Sequence, residues 1–173
     1  MMNRKIYLSD DVLCLSEYIE SEDDYGCYNC WNDEETQSGY NYILAKPFDE
    51  WSKETKIKSR FIASLLRLSD KACIGSIFLS PKDTPPDLAI MIYKPYRKQG
   101  YGTAAFALGV KYCFEVLEFD RIYAGCYPHN IGSMKMLAKC GFIPHPSGNI
   151  QEKHYLTGED ITQFDFVKYN TRL

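Results

Sequence analysis

Several kinds of segment are missing from this sequence of 173 residues. No apolar run approaches the about 20 residues that a helix needs to cross a bilayer, and the first ten residues have no long apolar stretch behind their basic residues, as a signal peptide would. The formal net charge is −3, which argues against general affinity for nucleic acid because such binding depends on neutralising phosphates. We therefore expect a cytoplasmic protein that binds neither membranes nor nucleic acids.

Signatures of metal sites and disulfide frameworks are also missing. The seven Cys are an odd number and lie mostly in apolar segments, where a free thiol packs as a small hydrophobe and a reducing compartment is the simplest explanation. Cys27 and Cys30 form a C-x-x-C, but no second such pair and no nearby His pair would complete a zinc site. We interpret this pair as structural, with a redox role as the alternative, and we predict no metal.

The composition that is present suits a soluble globular protein, with 45% apolar and 25% charged residues. The length is sufficient for one domain with its own core. No repeat, low-complexity tract or linker divides the chain, so we predict a single domain over residues 1–173.

The hydrophobic pattern predicts an α/β (α+β) fold with a mixed sheet. Short turns between three successive strands imply antiparallel neighbours, and a long helix between the third and the next strand implies a parallel pair. Gly109, in the middle of that helix, indicates close approach to a neighbour, since Gly otherwise costs about 1 kcal/mol there. The predicted strands are 4–8, 60–68, 71–79, 87–93, 121–127 and two between 142 and 169; the predicted helices are one capped by 9–11 and carrying Val12, Leu15 and Ile19, then 23–31, 48–56, 100–119 and 130–139.

The most informative segment, residues 97–104, joins an apolar strand directly to the long helix. Gly100 and Gly102 let the backbone turn tightly and approach a ligand closely. The N–H groups of residues 99–103 would converge at the helix N-terminus, which favours an anion. We expect a diphosphate here, bound by Arg97, Lys98, Gln99, Gly100, Tyr101, Gly102 and Thr103.

Gly100, Gly102 and Ala105 also match the G-x-G-x-x-A fingerprint of dinucleotide-binding folds. Such a fold has an acidic residue at the end of the next strand to bind ribose, whereas this strand ends in the sequence Cys-Tyr-Pro-His at 126–129. The strands before the loop are also predicted to be antiparallel, which that fold does not have. We therefore discount the dinucleotide interpretation.

Arg97-x-x-Gly100-x-Gly102 matches the R/Q-x-x-G-x-G/A motif of the GNAT superfamily of N-acetyltransferases. The segment from Asn130-x-x-Ser133 to Gly141-Phe142 resembles the second half of the same signature. Within the superfamily the chain is most similar to the ribosomal-protein N-acetyltransferase (Rim-type) branch. The resemblance is strong over residues 87–142, fair over the first 20 and vague over 22–60.

This resemblance implies a twisted mixed sheet, flanked by helices, whose two central parallel strands splay apart around acetyl-coenzyme A. It implies transfer of the acetyl group to a primary amine, on a protein N-terminus or a small molecule, by direct attack in a ternary complex. Asn130 and Ser133 would contact the coenzyme, and a backbone N–H near Met91 or Ile92 would stabilise the oxyanion. We expect a monomer or a homodimer.

The proton carriers are less clearly marked. An alkylamine, whose pKa in water is about 10.4, must lose a proton before it attacks. Many superfamily members have a Tyr seven residues after the motif Asn as the acid, but this chain has Leu137. By resemblance to the Rim-type branch, Ser133 is the candidate acid and Asp87 the candidate base. Asn130 and Ser133 could also be ordinary helix-start residues, and the alternative function is a non-catalytic acyl-coenzyme A-binding or interaction module.

Overall fold

A five-stranded antiparallel sheet forms the first half of the protein, in a computed structural model that describes residues 4–53 and 59–171. Its strands lie side by side in chain order, each paired with the next. The antiparallel prediction for the strands between residues 60 and 93 is therefore confirmed. The strands are β1 (Ile6–Ser9), β2 (Leu13–Glu17), β3 (Phe61–Arg67), β4 (Cys73–Leu79) and β5 (Leu88–Ile92).

A second antiparallel sheet is built from the C-terminal strands in the order β6-β9-β7, and β8 pairs with the other part of β9. The prediction of two strands after residue 142 was therefore one too few. The strands are β6 (Arg121–Cys126), β7 (Ile143–Pro144), β8 (Ile150–Lys153) and β9 (Asp160–Tyr169).

Four of the five predicted helices are present in the predicted order, one predicted helix is a strand, and one helix is added. α2 lies in a polar stretch that the sequence pattern left unassigned, and Asp33 caps it by accepting a hydrogen bond from the Thr36 N–H. The helix predicted over 48–56 ends at Trp51, and residues 54–56 lie outside the described residues. The helices are α1 (Glu20–Trp31), α2 (Glu34–Tyr40), α3 (Phe48–Trp51), α4 (Tyr101–Glu115) and α5 (Ile131–Lys139).

The helix predicted for Val12, Leu15 and Ile19 is wrong, because this segment contains strand β2. The Asp10 carboxylate accepts hydrogen bonds from the N–H groups of Val12 and Leu13, so it closes a turn between β1 and β2 instead of capping a helix. Residues Leu13 to Ser16 are all buried, as expected of a strand with neighbours on both edges and packing on both faces.

The predicted mixed sheet with two splayed central parallel strands is also corrected, because the described residues form two antiparallel sheets. β5 and β6 share a single parallel bridge, between Asp87 and Tyr123. Beyond that bridge the structure records no pairing between them in its described residues, and β6 is paired instead with β9 over six residues. The two sheets are therefore joined by strand pairing at one point in the described residues, and an open space separates β5 from β6 beyond it.

Packing on the two faces of the first sheet follows strand alternation. On one face, Ile77 and Leu88 pack against α4 in the main core. On the other, Phe78 and Met91 pack against α1 in a smaller cluster with Cys27 and Cys30. The close approach predicted at Gly109 is confirmed, since a side chain there would overlap Ile77.

Gly75 on β4 allows β5 to lie close to β4. It is buried opposite Ile92, and a Cβ at this position would overlap the carbonyl oxygen of Met91. Because a backbone atom cannot move aside cheaply, we expect Gly75→Ala to lower the free energy of unfolding by about 1–3 kcal/mol. Denaturant unfolding measures this change.

Gly132→Ala is the matched control for Gly75→Ala. The nearest atom to a Cβ there is Asn130 Oδ1 at 3.7 Å, so this change should stabilise α5 by about 0.5–1 kcal/mol. Equal effects of the two substitutions would contradict the close contact at Gly75.

Candidate functional site

A cleft of about 1420 Å³ occupies the open space between β5 and β6. At one end it is lined by the turn that precedes α4, including Lys98 and Gly100. At the other end it reaches the Asp87–Tyr123 bridge and the surface of β9. The loop and strand that the sequence pattern singled out therefore line one continuous cavity.

The turn before α4 has the backbone shape expected of an anion site. Lys98 (φ 60°) and Gly100 (φ 86°) are in the left-handed region, which bends the chain sharply into the helix. No side chain in the described part of the protein caps α4, and its first turn contains no acidic residue. Its first N–H groups and the positive end of the helix dipole are therefore available to an anion. Lys98 is exposed and has no ion-pair partner among the described residues.

Two predicted diphosphate-binding residues turn their side chains away from the cleft. The Gln99 side chain donates a hydrogen bond to the Pro95 carbonyl at 2.9 Å. The Tyr101 hydroxyl is 3.3 Å from Arg67 Nη1, and the Arg67 guanidinium lies over the Tyr101 ring. Both residues can therefore offer only backbone groups to a ligand in the cleft.

Arg97 lies in an ion-pair cluster instead of pointing freely toward an anion. Its guanidinium pairs with Asp33 and with Glu35, the latter at 3.3 Å. It also donates to Thr36 Oγ1 at 2.8 Å, and its Nε donates to the Ile92 carbonyl at 2.8 Å. Arg97 thus joins α2 to the end of β5 and to the turn before α4.

α2 covers part of the cleft. Besides Arg97, three further contacts fix its position. Ser38 Oγ lies 3.3 Å from His129 Nε2. The Tyr40 hydroxyl donates to the Ile90 carbonyl at 2.6 Å. Asn41, just after α2, donates to Glu152 on β8 at 3.2 Å. α2 and the residue after it therefore connect both sheets across the cleft.

The edge of β5 that faces the cleft presents the backbone groups of Ile90 and Ile92. Tyr93 N–H donates to β4, and the Asp87 carbonyl accepts from the residue after β4, so odd-numbered residues direct their backbone groups toward β4. Alternation then directs the even-numbered groups toward the cleft. The Ile92 N–H thus faces the cleft, whereas the Met91 N–H faces β4 and the Met91 side chain is buried beneath the sheet.

Asn130 and Ser133 lie at the start of α5, where the cleft runs past the helix. Asn130 Oδ1 accepts a hydrogen bond from the Ser133 N–H at 3.1 Å, which makes Asn130 the N-cap. The capping bond uses only the backbone of Ser133. The Ser133 side chain is partly exposed in the cleft, and the structure records no partner for its hydroxyl among the described residues.

Asp87 lies at the end of the cleft farthest from Lys98, next to the bridge to Tyr123. No hydrogen-bond partner for its carboxylate is recorded in the described parts of the chain. Burial, followed by the negative charge of Asp165, raises the pKa of Asp87 to about 6. A carboxyl with such a pKa is ionised at neutral pH and can still accept a proton efficiently.

Sequence reasoning missed His145 and Asp165, which also line the cleft. His145 Nδ1 lies 2.6 Å from Asp165 Oδ2. The two residues are 20 positions apart in a region without a recognisable motif, and the pairing of β7 with β9 brings them together. No signal in the sequence alone identifies such a pair.

Comparison with known families gives one match that covers most of the chain. The family described as an acetyltransferase (GNAT) domain matches residues 11–143. A probable N-acetyltransferase of Bacillus subtilis (strain 168), YjcK, is 38% identical over 65 residues, which are 38% of this chain and 35% of that protein. The alignment thus spans about a third of the length of this curated relative.

Solved structures share the fold over nearly the whole chain. The spermidine N-acetyltransferase of Vibrio cholerae, in complex with CoA and spermine, has a TM-score of 0.78 at 18% identity, over 92% of this chain and 96% of that one. The ribosomal-protein-S5-alanine acetyltransferase of Vibrio fischeri has a TM-score of 0.74 at 16% identity, over 95% and 96%. At these identities the likeness concerns the fold alone. None of the described helices is long and apolar enough to cross a membrane.

Proposed function

The chain belongs to the GNAT family of acetyltransferases, and on that premise we propose that it transfers an acetyl group from acetyl-coenzyme A to a primary amine. The observation that supports this most strongly is the polarity of the cleft. One end has Lys98 and the N-terminus of α4, and the other end has the carboxylates of Asp87 and Asp165. An anionic donor and a cationic acceptor can therefore enter one cavity from opposite ends.

The residues present fit acetyl-coenzyme A, which would supply the activated acetyl group as a thioester. The backbone of residues 99–103 and the Lys98 ammonium would bind its diphosphate, as the shape of the turn allows. The pantetheine would lie between β5 and β6, where the edge of β5 offers the backbone N–H groups of Ile90 and Ile92. Arg97 would act by holding the turn in place through Asp33, Glu35 and Thr36.

Three groups of this chain would then serve the transfer itself. The Ile92 N–H, which faces the cleft, would stabilise the negative charge that develops on the carbonyl oxygen, a contribution of about 3 kcal/mol for one such donor. Asp87 would accept a proton from the ammonium form of the acceptor, so that a neutral amine attacks. Ser133 would donate a proton to the departing sulfur and would take up in exchange the second proton that the amine nitrogen loses.

A primary amine is the acceptor class that the cleft favours, because its ammonium form is attracted by the two carboxylates. The two structural neighbours act, by their names, on spermidine and on the alanine of a ribosomal protein, and both substrates present amines. A small amine and a protein N-terminus are therefore the two kinds of acceptor to test.

Ser133→Ala tests the proposed acid. We expect kcat to fall by about 10–10³-fold, the range of a modest general-acid contribution, with little change in acetyl-coenzyme A affinity. Stability should not change, because Asn130 Oδ1 and the Ser133 backbone form the cap. Asn130→Ala is the control, since it should cost about 1 kcal/mol of stability. A Ser133→Ala enzyme with normal turnover would remove Ser133 from the mechanism.

The proposed function itself is tested by incubating the protein with acetyl-coenzyme A and a panel of amines while free thiol is measured. The panel should contain diamines, polyamines, monoamines and peptides with free N-termini. Thiol release that depends on the amine supports the proposal. Tight binding of acetyl-coenzyme A without release for any amine would instead indicate the alternative, a non-catalytic acyl-coenzyme A-binding module.

A further inference from the structure

A histidine–aspartate pair lies on the wall of the cleft near Asp87, and the proposed reaction does not yet use it. Besides the 2.6 Å contact between His145 Nδ1 and Asp165 Oδ2, His145 Nε2 lies 3.1 Å from Ser147 Oγ. The backbones hold both residues as well: His145 N–H donates to the Asp165 carbonyl at 2.8 Å, and Asp165 N–H donates to Asn149 Oδ1 at 2.9 Å. The imidazole is therefore fixed relative to the carboxylate.

The turn after β7 is shaped around this pair. Pro144 pairs with Phe166 of β9, and the chain then makes a 3₁₀ turn over Pro146–Gly148. A Cβ at Gly148 would overlap Asp165 Oδ2 and would lie 2.7 Å from His145 Nδ1. Only glycine leaves enough room at that position for the imidazole–carboxylate contact.

The pair is also connected to Asp87 through β6. Asp165 lies opposite Gly125 on β6, and Asp87 forms its bridge with Tyr123 on the same strand. The Tyr123 ring lies 5.4 Å from the His145 ring. Asp165 is close enough for its charge to raise the pKa of Asp87, after the larger effect of burial.

The surroundings of Asp87 contain few other titratable groups. Burial, and to a smaller extent the Asp87 charge, raises the pKa of the Tyr40 phenol on α2. That pKa is above the range in which Tyr40 could exchange protons with Asp87. The Arg60 guanidinium is held by the carbonyls of the loop before Asp87. Among the described residues, Tyr40 from α2, Tyr123 from β6 and Asp165 from β9 thus lie around Asp87. His145, after β7, contacts Asp165, and Arg60, before β3, contacts the loop before Asp87.

We propose that His145, acting through Asp165, controls whether Asp87 is free to accept the proton of the acceptor amine. This inference rests on the proposed function, in which Asp87 is the base. When His145 is neutral, the full charge of Asp165 favours the protonated form of Asp87. When His145 is protonated, the imidazolium offsets that charge and Asp87 releases its proton more easily.

The proton balance of the step is simple. An N–H bond of the acceptor ammonium breaks as an O–H bond forms on Asp87, and that proton later passes from Asp87 to water. In this step His145 exchanges no proton with the reactants and acts through Asp165, so it is a positioning residue. Its protonation promotes the return of Asp87 to the ionised form that the next turnover needs.

Carboxyl titration by carbon-13 NMR, on the whole protein without substrate, tests this control directly. Asp165→Asn removes the neighbouring charge and should move the Asp87 midpoint down by about one pH unit. His145→Gln keeps a hydrogen-bond donor but cannot become positive, so it should move the midpoint up. The double variant should behave like Asp165→Asn, because His145 acts only through Asp165. Midpoints that stay fixed, or that move in the same direction in both single variants, would overturn the inference.

The pH dependence of kcat/KM for the amine is the second readout. The midpoint of its acidic limb should move down in Asp165→Asn and up in His145→Gln. His129→Gln is the matched control, since His129 lines the same cleft but contacts Ser38 and, among the described residues, no carboxylate. It should therefore leave the midpoint of the limb in place. Shifted NMR midpoints without turnover for any amine would refute the proposed function and leave the electrostatic control standing. Normal turnover with unshifted NMR midpoints would support the proposed function and refute the electrostatic control.

Discussion

Gly102→Val should abolish detectable binding of acetyl-coenzyme A and leave the free protein folded. Gly102 is the second residue of α4 and lines the cleft. Outside its own helix backbone and chain neighbours, the only described atom within 4 Å of a Cβ there is Ile92 Cγ1, at 3.9 Å. A valine side chain therefore fits the fold but occupies the space next to the N–H groups. In a helix Val is no worse than Gly, and the free energy of unfolding should hardly change.

The thermal shift caused by acetyl-coenzyme A measures this loss. At a concentration of about 100 Kd the ligand stabilises the wild-type protein by about 2.7 kcal/mol, and a 100-fold weaker complex would remove most of that shift. Ala138→Val is the control, because it adds the same branched side chain to an exposed helical position outside the cleft. Retained binding by Gly102→Val, or a larger shift with NAD than with acetyl-coenzyme A, would contradict the assignment of the anion site.

Asp87→Asn should lower kcat/KM for the amine by about 10²–10⁴-fold near neutral pH, where Asp87 is ionised, which is the range of general-base contributions. The substitution keeps the size of the side chain and removes the group that accepts the proton. The loss should shrink as pH rises toward the amine pKa of about 10.4, because free amine then needs no base. Rates measured from about pH 6 to about pH 10 show whether the mutant recovers.

Stability should change in the opposite direction to activity in Asp87→Asn. The folded protein raises the pKa of Asp87, so folding favours the protonated carboxyl, and the ionised form costs stability above that pKa. Asn removes this cost, and the unfolding temperature at neutral pH should rise. A kcat/KM deficit that stays constant across pH would show that Asp87 has a binding or structural role instead.

The parts of the fold that the sequence predicts well are those with local signals. The turn over residues 97–100 and the helix after it are specified by neighbouring residues, since Gly100 needs a positive φ and the following apolar residues repeat with helical spacing. Asn130 and Gly141 similarly mark the two ends of α5. These contiguous signals are enough to locate the cleft without any long-range contact.

Long-range contacts decide what the sequence cannot. The run Leu13-Cys14-Leu15-Ser16 has no single periodicity, and only its pairing with β1 and β3 makes it a strand. Arg97 was predicted to meet an anion, but the carboxylates of Asp33 and Glu35, more than 60 residues earlier, meet its side chain. The sequence does not predict these ion pairs, because they depend on how α2 packs over the turn.

The same reason explains why the sequence identifies a candidate base but not its surroundings. Asp87 is identified as the candidate base through the resemblance to the Rim-type branch. The effect of Asp165 on it depends on the register between β6 and β9, in which Asp165 lies opposite Gly125. A shift of one residue would turn Asp165 to the other face of the sheet, and nothing in the sequence pattern fixes that register.

The most direct test of acetyl transfer is a stoichiometric measurement with carbon-13-labelled acetyl-coenzyme A and the amine that gives the fastest thiol release. Mass spectrometry should find one labelled acetyl group on the amine nitrogen for each free thiol formed. The ratio should stay at one when the amine concentration is changed. Thiol release without labelled amide, which is hydrolysis of the thioester, would contradict the account, as would labelled amide formed equally fast without the protein.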